Sequence, residues 1–144
     1  WTPSLTLTVT NNVTTDTDGN GILLVGRGTS GSARFKVQNN LVAAPINVGG
    51  TARYGIRIDA GNTSSGDDAV CLNISGNTSA GSNGAVGIGL RKQGTVATTN
   101  DFSINGMAAT ASPSVEAYVN GLNGAGGGTE LISAASGFTN CSLP

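Results

Sequence analysis

A six-residue phrase occurs three times in this chain of 144 residues. It reads Leu7-Thr8-Val9-Thr10-Asn11-Asn12, Phe35-Lys36-Val37-Gln38-Asn39-Asn40 and Leu72-Asn73-Ile74-Ser75-Gly76-Asn77. Each copy runs apolar, polar, apolar, polar, Asn or Gly, Asn. The alternation is that of a strand with one buried face. A strand that recurs and always stops at an asparagine is one element of a repeating coil, and a coil cannot bury its apolar face without a neighbour.

A second phrase interleaves with the first: Gly21-Ile22-Leu23-Leu24-Val25, Gly55-Ile56-Arg57-Ile58-Asp59 and Gly87-Ile88-Gly89-Leu90-Arg91. The period of two assigns Ile22 and Leu24, Ile56 and Ile58, Ile88 and Leu90 to one face. The phrases keep the same order three times. Differences in length fall in polar, glycine-rich stretches such as 26–33, 43–53 and 61–68, as insertions in a solenoid do. Each coil is therefore expected to hold a strand ending at the asparagine, a strand starting at Gly-Ile, and a third, short strand in the variable loop. The expected fold is all-β, a parallel β-helix of about three coils. Leu7, Phe35 and Leu72 should stack as one internal file, and Val9, Val37 and Ile74 as another. Asn12, Asn40 and Asn77 fall at the turn after the strand. Asparagine tolerates a left-handed backbone, and its side chain can bond to the next coil, so the three are expected to form a ladder.

Residues 1–98 read as coils and 99–144 as a C-terminal cap of the same domain. The cap contains a short helix over 112–124, with Ser112 as cap, Pro113 at the first position, Val115, Val119 and Leu122 as the apolar stripe, and Asn123-Gly124 at the exit. No comparable cap precedes Leu5, Leu7 and Val9. These three mark a candidate assembly edge, open to self-assembly or to upstream coils.

Charged residues are 10% of the chain and the net charge is −1, which is not the basic footprint of a nucleic-acid binder. The uninterrupted apolar run Ile22–Val25 is far too short to span a bilayer, so no membrane insertion is expected. A start at Trp1 rather than Met suggests a mature product or a fragment. Cys71 and Cys141, in a chain of low charge rich in Ser, Thr and Asn, are expected to form one disulfide in a secreted or cell-surface protein.

The chain has no histidine, which removes histidine acid–base chemistry and most zinc sites. Asp67-Asp68 is the one adjacent acidic pair, and strand neighbours point to opposite faces, so it makes a poor catalytic dyad. No catalytic residue and no cofactor are assigned. Asp16-Thr17-Asp18-Gly19-Asn20-Gly21 matches the first half of an EF-hand loop, but its twelfth position is Arg27 where a glutamate is required. Asp16, Asp18 and Asn20 remain a calcium candidate only. Arg53, Tyr54, Arg57 and Arg91, with Lys92 nearby, form a candidate patch for a glycan or another anionic polymer. Asp59 and Arg91 occupy matching outward positions and read as a surface ion pair. Thr6, Thr8 and Thr10 form an outward row; the positions matching Thr8 are Lys36 and Asn73, so no ice-binding array continues across the coils.

The two phrases resemble the coils of bacterial right-handed parallel β-helix proteins, the pectate-lyase-like superfamily. The line from Val70–Asn77 through Ile88–Gln93 to Gly137–Cys141 is similar to the C-terminal end of large surface repeat proteins. The resemblance implies a right-handed helix, an asparagine ladder at Asn12, Asn40 and Asn77, and a role as a rigid stalk or adhesin, or as an enzyme that cuts or binds polysaccharide. The expectation is a non-enzymatic extracellular structural or adhesive module, a filament or stalk subunit assembling through its open first coil. The alternative is a polysaccharide-binding or polysaccharide-cleaving β-helix.

Overall fold

In the computed structural model, which describes residues 4–28, 31–46, 49–61, 68–94, 101–108, 114–132 and 138–143, the repeated phrases lie on top of one another. The first coil holds β1 (Ser4–Thr10), β2 (Val13–Thr14) and β3 (Ile22–Gly26). The second holds β4 (Ser32–Gln38), β5 (Leu41–Val42) and β6 (Ile56–Ala60). The third holds β7 (Ala69–Ser75), β8 (Thr78–Ala80) and β9 (Ile88–Lys92). Then follow β10 (Phe102–Asn105), α1 (Val115–Leu122), β11 (Gly124–Gly126), β12 (Thr129–Ile132) and β13 (Phe138–Cys141). Every pairing between these strands is parallel. Three sheets result, in the orders β1-β4-β7-β10-β13, β2-β5-β8-β11 and β3-β6-β9-β12. This is a parallel β-helix.

The internal files are those the alternation requires. Leu7 pairs with Phe35 and Phe35 with Leu72; Val9 pairs with Val37 and Val37 with Ile74. In the third sheet Ile22, Ile56 and Ile88 are in register, as are Leu24, Ile58 and Leu90. Phe35, Leu72, Ile56, Ile58, Ile88 and Leu90 are all essentially inaccessible to solvent. Burial of a side chain of this size contributes about 1.5–3 kcal/mol, so these files carry most of the driving force.

Two expectations are refined. The third strand of each coil does not lie in the variable loop. It follows the ladder asparagine at once, and in the first two coils it is two residues long, too short to show any alternation. The left-handed backbone falls one residue before each ladder asparagine, on Asn11 (φ 58°), Asn39 (φ 56°) and Gly76 (φ 68°). That explains why the fifth position of the phrase admits only Asn or Gly. The glycine that opens the second phrase has a different cause. A Cβ on Gly87 would collide with the backbone of Ser79 and Gly126, where the chain turns from the second sheet into the third.

The stretch 99–144 carries the short helix and also continues the stack. β10, β11 and β12 each add a strand to one sheet, and β13 adds a further one to the first. Phe102-Ser103-Ile104-Asn105-Gly106 repeats the beginning of the first phrase, but β10 pairs with β7 two residues out of phrase register, Ile104 opposite Leu72. The strand therefore turns early, Met107 stands buried where the phrase calls for asparagine, and the chain later enters α1. Ser112 and Pro113, expected to open that helix, lie outside the described residues. Ser114 is its N-cap, its side chain accepting a hydrogen bond from the Ala117 N–H (3.4 Å). Val119 is buried and Val115 packs against the core, whereas Leu122 is exposed.

The asparagine ladder is continuous, and it points backward. Asn40 Oδ1 accepts from Asn12 N–H (3.0 Å) and Nδ2 (2.9 Å), and Asn77 Oδ1 accepts from Asn40 N–H (3.0 Å) and Nδ2 (2.8 Å). Asn40 Nδ2 also donates to Val9 O (3.0 Å), and Asn77 Nδ2 to Val37 O (2.9 Å). Each side chain thus bonds to the next coil through its nitrogen, as expected, and Asn40 and Asn77 also clamp the preceding coil. Asn123, the C-cap of α1, supplies a fourth rung: its Oδ1 accepts from Asn77 N–H (3.1 Å) and Nδ2 (2.8 Å). Asn40 and Asn77 are buried, while Asn12 is exposed. A buried group left without its partner costs roughly 1–3 kcal/mol. Asn77→Ala strands several at once, and urea denaturation is expected to show a loss of about 3 kcal/mol. Asn12→Ala, at the exposed end, should cost less than about 1 kcal/mol; equal losses would mean that the ladder does not hold the coils together.

Candidate functional site

The sequence candidates fall into four places in the structure. Cys71 on β7 is bonded to Cys141, the last residue of β13, with a Cα–Cα distance of 6.0 Å, which ties the chain end to the third coil. It closes a separation of 70 residues. The chain-entropy model values such a constraint at about 4 kcal/mol.

Leu5, Leu7 and Val9 lie on the inward face of β1, at the end of the stack. Leu5 is 53% and Leu7 37% exposed, although their file partners Ala33 and Phe35 are buried. Val9 is partly covered by the core. β1, β2 and β3 are each the terminal strand of their sheet, and all three end the stack on the same side. The ladder ends there too: among the described residues nothing donates to Asn12 Oδ1.

Asp16, Asp18 and Asn20 lie in the connection between β2 and β3. Asp16 takes a left-handed φ of 55°. Asn20 Oδ1 accepts a hydrogen bond from the Tyr54 N–H (2.9 Å), which fastens this connection to the second coil. Among the described residues no group of three or more His, Cys, Asp or Glu side chains is arranged to hold a metal.

Of the candidate ligand patch, the structure brings together Tyr54, Arg57 and Arg91, and adds Arg27. The centre is Asp59. Its carboxylate accepts from Arg57 Nε (2.8 Å), from Arg27 (3.5 Å) and, most closely, from Arg91. Asp59 and Arg91 are paired as the sequence suggested, yet Asp59 is only 2% exposed, because three guanidinium groups close over it. Three cations on one carboxylate leave the cluster positive, and Glu130, on the same outer face of the third sheet, offsets part of that charge. The Tyr54 ring lies 5.8 Å from the Arg57 guanidinium carbon, and its hydroxyl donates to Glu130 (3.0 Å). Partial burial, then the Glu130 hydrogen bond and charge, push the Tyr54 pKa up to about 12.

Arg53 is not part of this cluster. Its backbone is bridged to Ser82, and its Nε is buried without an acceptor. Lys92 is excluded as well. The alternation that turns Arg91 outward turns Lys92 inward, opposite Ala60, where it is fully buried with Nζ 5.2 Å from the Phe138 ring centroid. Burial holds its pKa below the ordinary lysine range, with Asp101 opposing.

The acidic pair resolves differently from a dyad. Asp67 lies outside the described residues. Both oxygens of Asp68 accept backbone N–H bonds, from Gly28 and Gly31 at 2.6 Å each, so this carboxylate clamps the loop between β3 and β4. Nothing in the sequence distinguished Asp68 from a solvated aspartate. Arg27 was legible in principle, because it stands two residues after Val25 and so, by alternation, on the outward side of its strand. Comparisons with family models, with curated proteins and with solved structures returned no match.

Two outcomes are expected. Asp59→Ala leaves three guanidinium groups facing each other, and breaking a buried pair of this kind costs about 3–5 kcal/mol. Arg27, at 46% exposure, contributes less than about 1 kcal/mol, so Arg27→Ala should barely move the denaturation midpoint. Tyr54 should titrate about two pH units above an ordinary tyrosine in the ultraviolet, and Tyr54→Phe should remove that late rise. A raised folded pKa means that the contribution is complete below pH 10 and is lost as pH climbs from 10 through about 12.

Proposed function

We propose that this chain is a non-enzymatic structural module of a secreted or cell-surface β-helix, of the pectate-lyase-like kind, and that further coils of the same kind stack on its first coil. One observation carries this reading: Leu5 and Leu7 are exposed at file positions that are buried in the second and third coils. A covering coil would bury them and pair the free edges of β1, β2 and β3. It would also bring an N–H and an amide to the unfilled Oδ1 of Asn12. The occupant must therefore have those donors to spare. Asn123 does not: its N–H donates to Asn120 O (3.2 Å), and its Nδ2 to Val119 O (2.8 Å) and Ile74 O (3.3 Å). This favours coils that precede the module in a longer rod over a second copy of the module.

The disulfide fits an oxidising, extracellular setting. Among the described residues no helix is long and apolar enough to cross a membrane. Asp59, Asp68 and Glu130 each have a carboxylate engaged in structural hydrogen bonds, which supports a role without catalysis. A polysaccharide-binding role is the second reading, favoured by the excess positive charge around Asp59 and by Tyr54 beside it.

Electron microscopy of the native material, with an antibody against α1, tests the proposal. Label at one end of rods is expected. Label repeated along a filament would transfer the role to self-assembly through the first coil, and isolated globular particles would overturn both. Retention on acidic glycan by such particles would favour the second reading.

A further inference from the structure

We infer that the outer face of the first sheet carries a binding pocket for a sulfate or phosphate group, formed by Thr6, Thr8, Arg34, Lys36 and Leu143. Arg34 and Lys36 stand two apart on β4. The residues alternating with them, Ala33, Phe35 and Val37, are buried, so both cations face outward about 6.6 Å apart along the strand. On β1 their register partners are Thr6 and Thr8, whose side chains line the same face. The fifth wall comes from the opposite end of the chain. The Cys71–Cys141 bond fixes the tail against this sheet, and Leu143 N–H donates to Asn105 Oδ1 (2.8 Å). Leu143 then closes a cavity of about 220 Å³ with the two cations and the two threonines.

Charge selects the ligand. The chain has 7 basic and 8 acidic residues, and its other outward arginine cluster is built around a carboxylate. Arg34 and Lys36 have no acidic partner among the described residues. Two adjacent cations with no counter-charge among the described residues, flanked by threonines, match a doubly charged tetrahedral oxyanion better than a carboxylate. The cavity leaves space beyond the oxyanion for the group that carries it, with Leu143 as an apolar wall. The pocket is independent of the first coil's edge, because Thr6 and Thr8 use the opposite face of β1 from Leu5 and Leu7.

Titration of the chain with inorganic sulfate, inorganic phosphate and acetate at fixed ionic strength, followed by backbone amide NMR, tests this. Saturable shifts confined to residues 6–8, 34–36 and 143 are expected with the two tetrahedral anions, and at least tenfold weaker ones with acetate. The Arg34→Ala, Lys36→Ala double variant, whose altered side chains lie on the solvent face, should keep its circular dichroism and lose at least tenfold in affinity. Leu143→Gly, which leaves the disulfide in place, should lose at least threefold. Preference for sulfate would point to a sulfated glycan, and preference for phosphate to a phosphate ester. Shifts that never saturate, that acetate reproduces, or that survive in the double variant would overturn the inference.

Discussion

Each ladder asparagine joins two coils through both ends of one amide. In Asn40, Asn77 and Asn123 the oxygen takes two donors from the asparagine before it, and the nitrogen reaches a carbonyl of that preceding coil. A hydrophobic file alone permits sliding, since one apolar residue stacks on another almost as well as on its neighbour's neighbour. The amide clamp does not, because a slip of one residue would strand buried donors and acceptors at every rung. The left-handed residue before each asparagine, the immediate start of the short second-sheet strand and the position of the corner that follows all take their register from this point.

The consequences run outward along the coil. Once the turn is fixed, the second-sheet strands are placed, and the glycine of the Gly-Ile phrase meets the backbone of the coil above at a distance that admits no side chain. The third-sheet files then fall into register without any polar specification of their own. On the outer faces there is no equivalent constraint. Thr8, Lys36 and Asn73 share one position, and Leu23, Arg57 and Gly89 another. Chemistry is free to collect there, as it does around Asp59 and beneath the C-terminal tail.

Inward positions were legible because alternation and repetition both report on them. The files, the parallel pairing and three ladder asparagines were readable for that reason, and the disulfide was readable from the cysteine count and composition. What escaped had a specific physical cause in each case. β2 and β5 are two residues long, shorter than one period. β10 carries most of the phrase, but its pairing is displaced by two residues and its asparagine position is held by Met107, so the fourth coil reads as a break. Asn123 is a ladder residue and a helix cap at once, and only the second role leaves a local signature. Asp59 sits on a solvent-facing position of its strand, and the charges that bury it come from three different coils.

The ladder also has a direction. Every amide oxygen faces the first coil, and the last amide nitrogen is folded into the end of α1. Two such chains placed face to face across a twofold axis through the Asn12 rung would set oxygen against oxygen, with no hydrogen to share. A symmetric pair centred there gains no ladder bond. The molecule behaves as a vector with an acceptor at its tip, and whatever extends it must arrive in the same orientation.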